Sequence, residues 1–187
     1  MLRRALLVLL IAVGLSACGL SARSGPPRDP QLDALFAQLH DAADAQAART
    51  IEERIWARWR NSGSATVDIL LERATAAENA GDPALATEFL AQASDLAPNF
   101  AEPWNRRAVI AYDQQDYSGA IAAIQETLRR EPRHFGALTG LALIYEDIGR
   151  ERAALEAYRG ALEVNPFFEE ARRGVQRLEP RIDGQEA

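Results

Sequence analysis

The chain has 187 residues, 48% apolar, 7% aromatic and 26% charged, the balance of a globular protein rather than a disordered or collagen-like one. Every one of the 21 basic residues is Arg, and 27 acidic residues leave a net charge of −6. Such a chain lacks the basic footprint of a nucleic-acid binder, and one Cys with two His offers too few soft ligands for a zinc site, so neither metal nor cofactor is expected.

In chain order, Met1 to Arg4 carries two positive charges and Ala5 to Leu15 is an apolar run of eleven residues. This fits the basic and apolar regions of a secretory signal peptide and falls well short of the roughly 20 apolar residues a spanning helix needs. Leu15 stands where cleavage after Ala17 would want a small residue, which argues against ordinary processing. The tetrapeptide Leu15-Ser16-Ala17-Cys18 instead resembles the lipobox of bacterial lipoproteins. That resemblance implies a signal peptide over 1–17, removed, and lipidation of Cys18, with two or three acyl chains where a single chain would hold only reversibly. Loss of Arg3 and Arg4 takes the charge to −8. Gly19 in place of Asp leans, by the enteric sorting rule, toward the outer membrane, so the expected location is the periplasm-facing, lipid-anchored cell envelope. Residues 18–30, rich in Ser, Gly and Pro, read as a flexible tether.

Within 31–66, Leu32, Leu35, Phe36 and Leu39 recur at i, i+3, i+4 and i+7, and Ile51, Ile55 and Trp59 share a second helix that ends near Asn61-Ser62-Gly63-Ser64. This segment is an N-terminal helical hairpin or a degenerate repeat; Phe36, Leu39 and Trp56 suit the repeat signature, while Glu52 and Ser64 do not. Its place ahead of the repeats suggests a cap.

Residues 67–168 are governed by a period. Pro98, Pro132 and Pro166 are 34 residues apart, as are Ala74, Ala108, Ala142 and Ala86, Ala120, Ala154. In the window from Phe135, Leu138, Leu141, Ala142 and Tyr145 make one helical stripe, Gly149 breaks it, and Ala154, Leu155, Tyr158, Ala161 and Leu162 make a second, stopped at Asn165-Pro166. On these residues the chain resembles the tetratricopeptide repeat, with repeats over 67–100, 101–134 and 135–168. The implied fold is all-α, a solenoid of antiparallel helix pairs. Phe168, Ala171, Val175 and Leu178 make 169–187 a C-terminal capping helix and tail, a cover that solenoids need for solubility.

The family resemblance also implies a concave groove lined by the first helix of each pair. Carried over, its positions are Asp68, Leu71, Thr75, Glu78 and Asn79; Glu102, Asn105, Val109, Tyr112 and Asp113; and Gly136, Thr139, Leu143, Glu146 and Asp147. Six are carboxylates and none is basic, which fits a basic or polar peptide, with Tyr112 and Asn105 as central contacts. The carboxylate clamp of chaperone-binding members is not expected, because its places hold Leu71, Thr75, Arg106, Gly136 and Gly140. Of Arg106-Arg107, one is expected to reach an acid and the other to cover apolar surface.

No enzyme is expected. His40 and His134 lie far apart along the stack, and Glu52-Glu53, Glu146-Asp147 and Glu169-Glu170 are adjacent on helices, pointing about 100° apart. The expected function is protein–protein interaction through the concave groove. The alternative is a structural subunit of an envelope assembly, pilus or secretion complex held by its convex face or caps. The partner and the oligomeric state are not specified by the sequence.

Overall fold

A computed structural model describes residues 29–184, in which nine helices and no strands occur among the described residues. They are α1 (Pro30–His40), α2 (Ala45–Trp59), α3 (Ala65–Asn79), α4 (Pro83–Leu96), α5 (Glu102–Asp113), α6 (Tyr117–Arg130), α7 (Phe135–Asp147), α8 (Glu151–Val164) and α9 (Glu169–Asp183). The expected signal peptide, Cys18 and the expected tether up to residue 28 lie outside the described residues.

The 34-residue period is visible in the turns. In each of the three repeats the helix pair is joined by a residue in the left-handed region, Gly81 (φ 74°), Gln115 (φ 61°) and Gly149 (φ 73°), so the second turn holds a side chain where its neighbours have Gly. Asp82 and Asp116 then cap α4 and α6 by accepting from Leu85 N and Gly119 N. The pairs α3/α4, α5/α6 and α7/α8 pack through small residues, with Ala74, Ala86, Ala108, Ala120, Ala142 and Ala154 all buried. At about 12 to 15 residues such helices are marginal alone, and packing in the stack stabilises them.

The C-terminal edge is closed by α9. Ala171, Leu178 and Ile182 join the core of α7 and α8, and Gly174 lies so close to the Tyr158 ring that a Cβ there would stand 2.4 Å from it. On the outside of this contact Arg177 reaches Glu146 at 2.6 Å.

The hairpin α1/α2 does not extend the stack ahead of α3, where a cap would stand. Its buried residues Leu32, Leu35, Phe36, Leu39, Ile55 and Trp59 share a core with Phe135, Ala142 and Tyr158 of the third repeat, while the core of α3 and α4 contains none of them. Trp59 stacks on His134 (4.1 Å between centroids, 9° between planes), and Trp56 meets Phe135 edge-on. Arg133 pairs with Asp33 at 2.7 Å and lies over the Phe36 ring, and Asn165 donates to Glu52 at 2.7 Å. The hairpin therefore straps the edge where the first helices begin. Along that edge, three positions spaced by 34 meet it or its connection to α3: Asp68 accepts from Ser62 Oγ, Arg60 lies in the field of Glu102, and Trp56 covers Gly136.

Candidate functional site

The face formed by α3, α5 and α7 contains two clefts, one between each neighbouring pair. In the α3–α5 cleft Arg106 lies across the gap, donating from Nη1 to the Leu71 carbonyl at 2.9 Å and from Nη2 to Glu78 Oε1 at 2.8 Å. Its side chain is only 17% exposed, so the cleft is filled. Arg107 turns the other way, onto the Trp104 ring, which Arg130 also covers, each at 4.6 Å. The division expected of this Arg pair is the one the structure shows.

The α5–α7 cleft is open. It holds a cavity of about 290 Å³ lined by Asn105, Val109, Tyr112, Asp113, Gly136 and Leu143 together with Ala108, Ile124, Ala137, Gly140 and Ile144. Val109 is 54% exposed at its mouth, although α5 buries its neighbours Ala108 and Ile110. A Cβ on Gly140 would meet only Ile124 Cδ1, at 3.8 Å, an ordinary contact. Packing therefore does not require glycine there, even though glycine in a helix interior costs about 1 kcal/mol relative to Ala. At Gly136, one turn earlier, a Cβ would come within 2.4 Å of Trp56, and there the close approach does require it.

Electrostatically the face is less free than its composition promises. Glu78 is paired with Arg106, and Glu146 accepts from Tyr158 Oη and from Arg177, which hold its carboxyl below the usual range against the opposing effect of burial. Asp147 accepts from Tyr112 Oη at 2.8 Å, and this bond, with burial second, pushes the phenol up to about 12. Glu102 is buried, and desolvation pushes its carboxyl up to about 7 despite the nearby Arg106. Asp68 is engaged by Ser62, and Thr75 donates to its own helix at Leu71 O. Thr139 is buried at 2% exposure, Leu71 is buried too, and Asn79 is exposed at the end of α3.

The carried-over positions therefore divide. Asn105, Val109, Tyr112, Asp113, Gly136 and Leu143 come together around one cavity, with Asp147 beside Tyr112. Thr139 and Glu146 are not available there, the first because it is buried and the second because it is bound to α8 and α9. Glu78 and Asn79 belong to α3, away from the cavity. Ala108, Ile124, Ala137 and Ile144 also line the cavity, apolar positions that nothing in the sequence marks as groove rather than core. Gly140 was a signal for the pocket, since the missing side chain there empties its floor, whereas the space over Gly136 is taken by Trp56.

The histidines have other roles. His134 is fully buried as the cap of α7, its Nδ1 accepting from Ala137 N at 3.0 Å, and burial lowers its pKa to about 3. Its proton therefore sits on Nε2, which has no hydrogen-bond partner. His40 is exposed at the end of α1. Among the described residues no group of His, Cys, Asp and Glu could hold a metal ion, and no helix is long and apolar enough to cross a membrane.

Comparison with known proteins agrees with the period. The tetratricopeptide repeat family model matches residues 105–168. A TPR repeat-containing protein of Rhizobium etli is 37% identical over 165 residues, covering 88% of this chain and 79% of the relative. Among solved structures, the Sgt2 TPR domain from Aspergillus fumigatus is similar with a TM-score of 0.59 at 21% identity, over 66% of this chain and 83% of that one. The first TPR of Spaghetti (RPAP3), bound to HSP90 peptide SRMEEVD, gives 0.58 at 14% identity over 63% of this chain and 94% of that one. Those two share the fold, and on the strength of the Rhizobium relative the chain belongs to the tetratricopeptide repeat proteins.

Proposed function

We propose that this protein is a lipid-anchored adaptor of the bacterial cell envelope that captures a segment of another protein on the face formed by α3, α5 and α7. The observation that carries the reading is the solvent-open cavity of about 290 Å³ between α5 and α7, with Val109 54% exposed at its mouth. Apolar surface left open in a cleft, beside the polar groups of Asn105, Tyr112 and Asp113, is what a recognition site requires. A solved relative in fold, the first TPR of Spaghetti (RPAP3), is bound to a peptide. The anchor rests on Leu15-Ser16-Ala17-Cys18 behind its apolar run, and Gly19 favours the outer membrane.

In-cell cross-linking with identification of the bound chains tests both halves. Val109→Arg is expected to lose partners that wild type recovers, and Cys18→Ala is expected to leave the membrane fraction. Unchanged recovery in Val109→Arg contradicts the groove; unchanged fractionation of Cys18→Ala contradicts the anchor.

One observation favours a structural subunit as the second reading. On α4, Leu85, Phe89 and Leu96 share a stripe, with Leu85 and Leu96 39% and 59% exposed, and Ile69 of α3 is 50% exposed. Ile69 stands 34 and 68 residues before Pro103 and Ala137, which are buried in the stack, so the first repeat presents an uncovered stacking edge. Partner recovery that survives Val109→Arg and fails in Leu96→Arg would support this reading over the groove.

A further inference from the structure

The two clefts of the α3/α5/α7 face are built in the same register. Arg106 and Gly140 stand 34 residues apart, as do Leu71 and Asn105, and Glu78 and Tyr112. The three residues that meet in the filled cleft are Arg106, Leu71 and Glu78. Their counterparts Gly140, Asn105 and Tyr112 all line the open cavity. The cavity is thus the space that an arginine at 140 would occupy, emptied because residue 140 has no side chain.

Resting on the reading of this face as the binding site, we propose that the α5–α7 cleft receives an arginine side chain from the partner segment. The partner's arginine enters the space that Gly140 leaves, as Arg106 fills the neighbouring cleft from within the chain. The walls suit such a side chain at both ends. Val109 and Leu143 are apolar surface for its methylene stem. At the rim, Tyr112 is an aromatic lining residue, and Asp113 and Asp147 supply carboxylates, both exposed. Arg106 shows that this face can hold a guanidinium, there shared between a helical carbonyl and a carboxylate with most of its side chain out of water. Lysine is the poorer occupant, since its compact, strongly hydrated ammonium lacks the fork that reaches two acceptors at once.

The test uses the full chain and four pentapeptide probes, acetyl-Gly-Ser-X-Ser-Gly-amide with X as Arg, Lys, Leu or Glu, titrated by amide chemical shift. Wild type is expected to bind the Arg probe at least tenfold more tightly than the Leu or Glu probe and severalfold more tightly than the Lys probe. Gly140→Arg is expected to fill the cleft from within and to weaken the Arg probe at least tenfold. If that variant fails to fold, Gly140→Ala, whose added methyl has room, is expected to weaken the same probe severalfold. Equal binding of the Arg and Glu probes, or an Arg preference that persists in both Gly140 variants, overturns the proposal. A Leu preference abolished by Gly140→Arg also overturns it while leaving the groove as the binding face. Failure of the groove itself is read separately, in the partner recovery of Val109→Arg.

Discussion

The α3–α5 and α5–α7 clefts share α5 and are built in the same register, and what separates filled from open is the residue at one position, 106 in the first and 140 in the second. Arg106 closes the first by reaching Leu71 O and Glu78, and Gly140 leaves the second open as a cavity of about 290 Å³. A repeat stack is approximately a sum of similar units, so a departure at one register position stands out against its neighbours in a way that a single globular core does not allow. The filled cleft contributes stability. The open one forgoes some, because glycine in mid-helix is unfavourable and the apolar wall stays in contact with water.

The largest expected effect comes from the strap that bounds the open cleft at Gly136. Trp59→Ala removes a side chain 6% exposed and stacked on His134, and should cost roughly 3–5 kcal/mol in urea unfolding, as other buried Trp truncations do. A loss under 1 kcal/mol would mean the hairpin does not hold the third repeat.

Next is the pH response of Glu102, beside the filled cleft. Its folded pKa of about 7 lies above its unfolded value of about 4.5, so its contribution is fully present below pH 4.5 and is lost as pH rises through 7. Relative to Glu102→Gln, wild type should lose up to about 3 kcal/mol between pH 4.5 and 8, at about 1.4 kcal/mol per pH unit. His134, depressed to about 3, works in the opposite sense: the unfolded chain takes up its proton below about 6.5, so stability falls as pH drops toward 3. Both proteins share that effect, and it cancels in the comparison. Parallel pH profiles for the two would refute the raised pKa.

Arg106→Ala opens the filled cleft. It leaves Glu78 without its ion pair and should cost about 1–3 kcal/mol, the range for a partly buried charged group losing its partner. A stability equal to wild type would make Arg106 an ornament of the surface rather than a plug.

The smallest effects are the sharpest in sign. Gly140→Ala, with its nearest contact at 3.8 Å, should stabilise by up to about 1 kcal/mol. Gly136→Ala on the same helix should destabilise, because its Cβ would stand 2.4 Å from Trp56. Thermal unfolding of the pair separates them, and the same sign for both would break the distinction between an open and a covered glycine.

Much of the fold was legible because a period needs only one dimension. The spacing of Pro98, Pro132 and Pro166 sets the repeats, and the stripes Leu32, Leu35, Phe36, Leu39 and Ala154, Leu155, Tyr158, Ala161 are buried as helical spacing requires. Where the hairpin docks was not legible. Apolar periodicity says which face of α2 is buried and is silent on what buries it, and here the partner residues His134 and Phe135 lie over 70 residues downstream of Trp59. The charge of the face was misread for the same reason. Arg106 meets Glu78 from 28 residues away and Arg177 meets Glu146 from 31, so a count of carboxylates at groove positions overlooked the cations that the fold brings to them. Gly140 was in view as a place lacking a clamp residue, but its meaning emerges only beside Arg106.

The most direct measurement is the amide chemical-shift footprint of acetyl-Gly-Ser-Arg-Ser-Gly-amide on the wild-type chain. Shifts concentrated at 105–113 in α5 and 136–144 in α7, with α3 unmoved behind its Arg106 plug, are the predicted result. Shifts centred on α3, or on the second helices α4, α6 and α8, would contradict the assignment of the open cleft as the site of recognition.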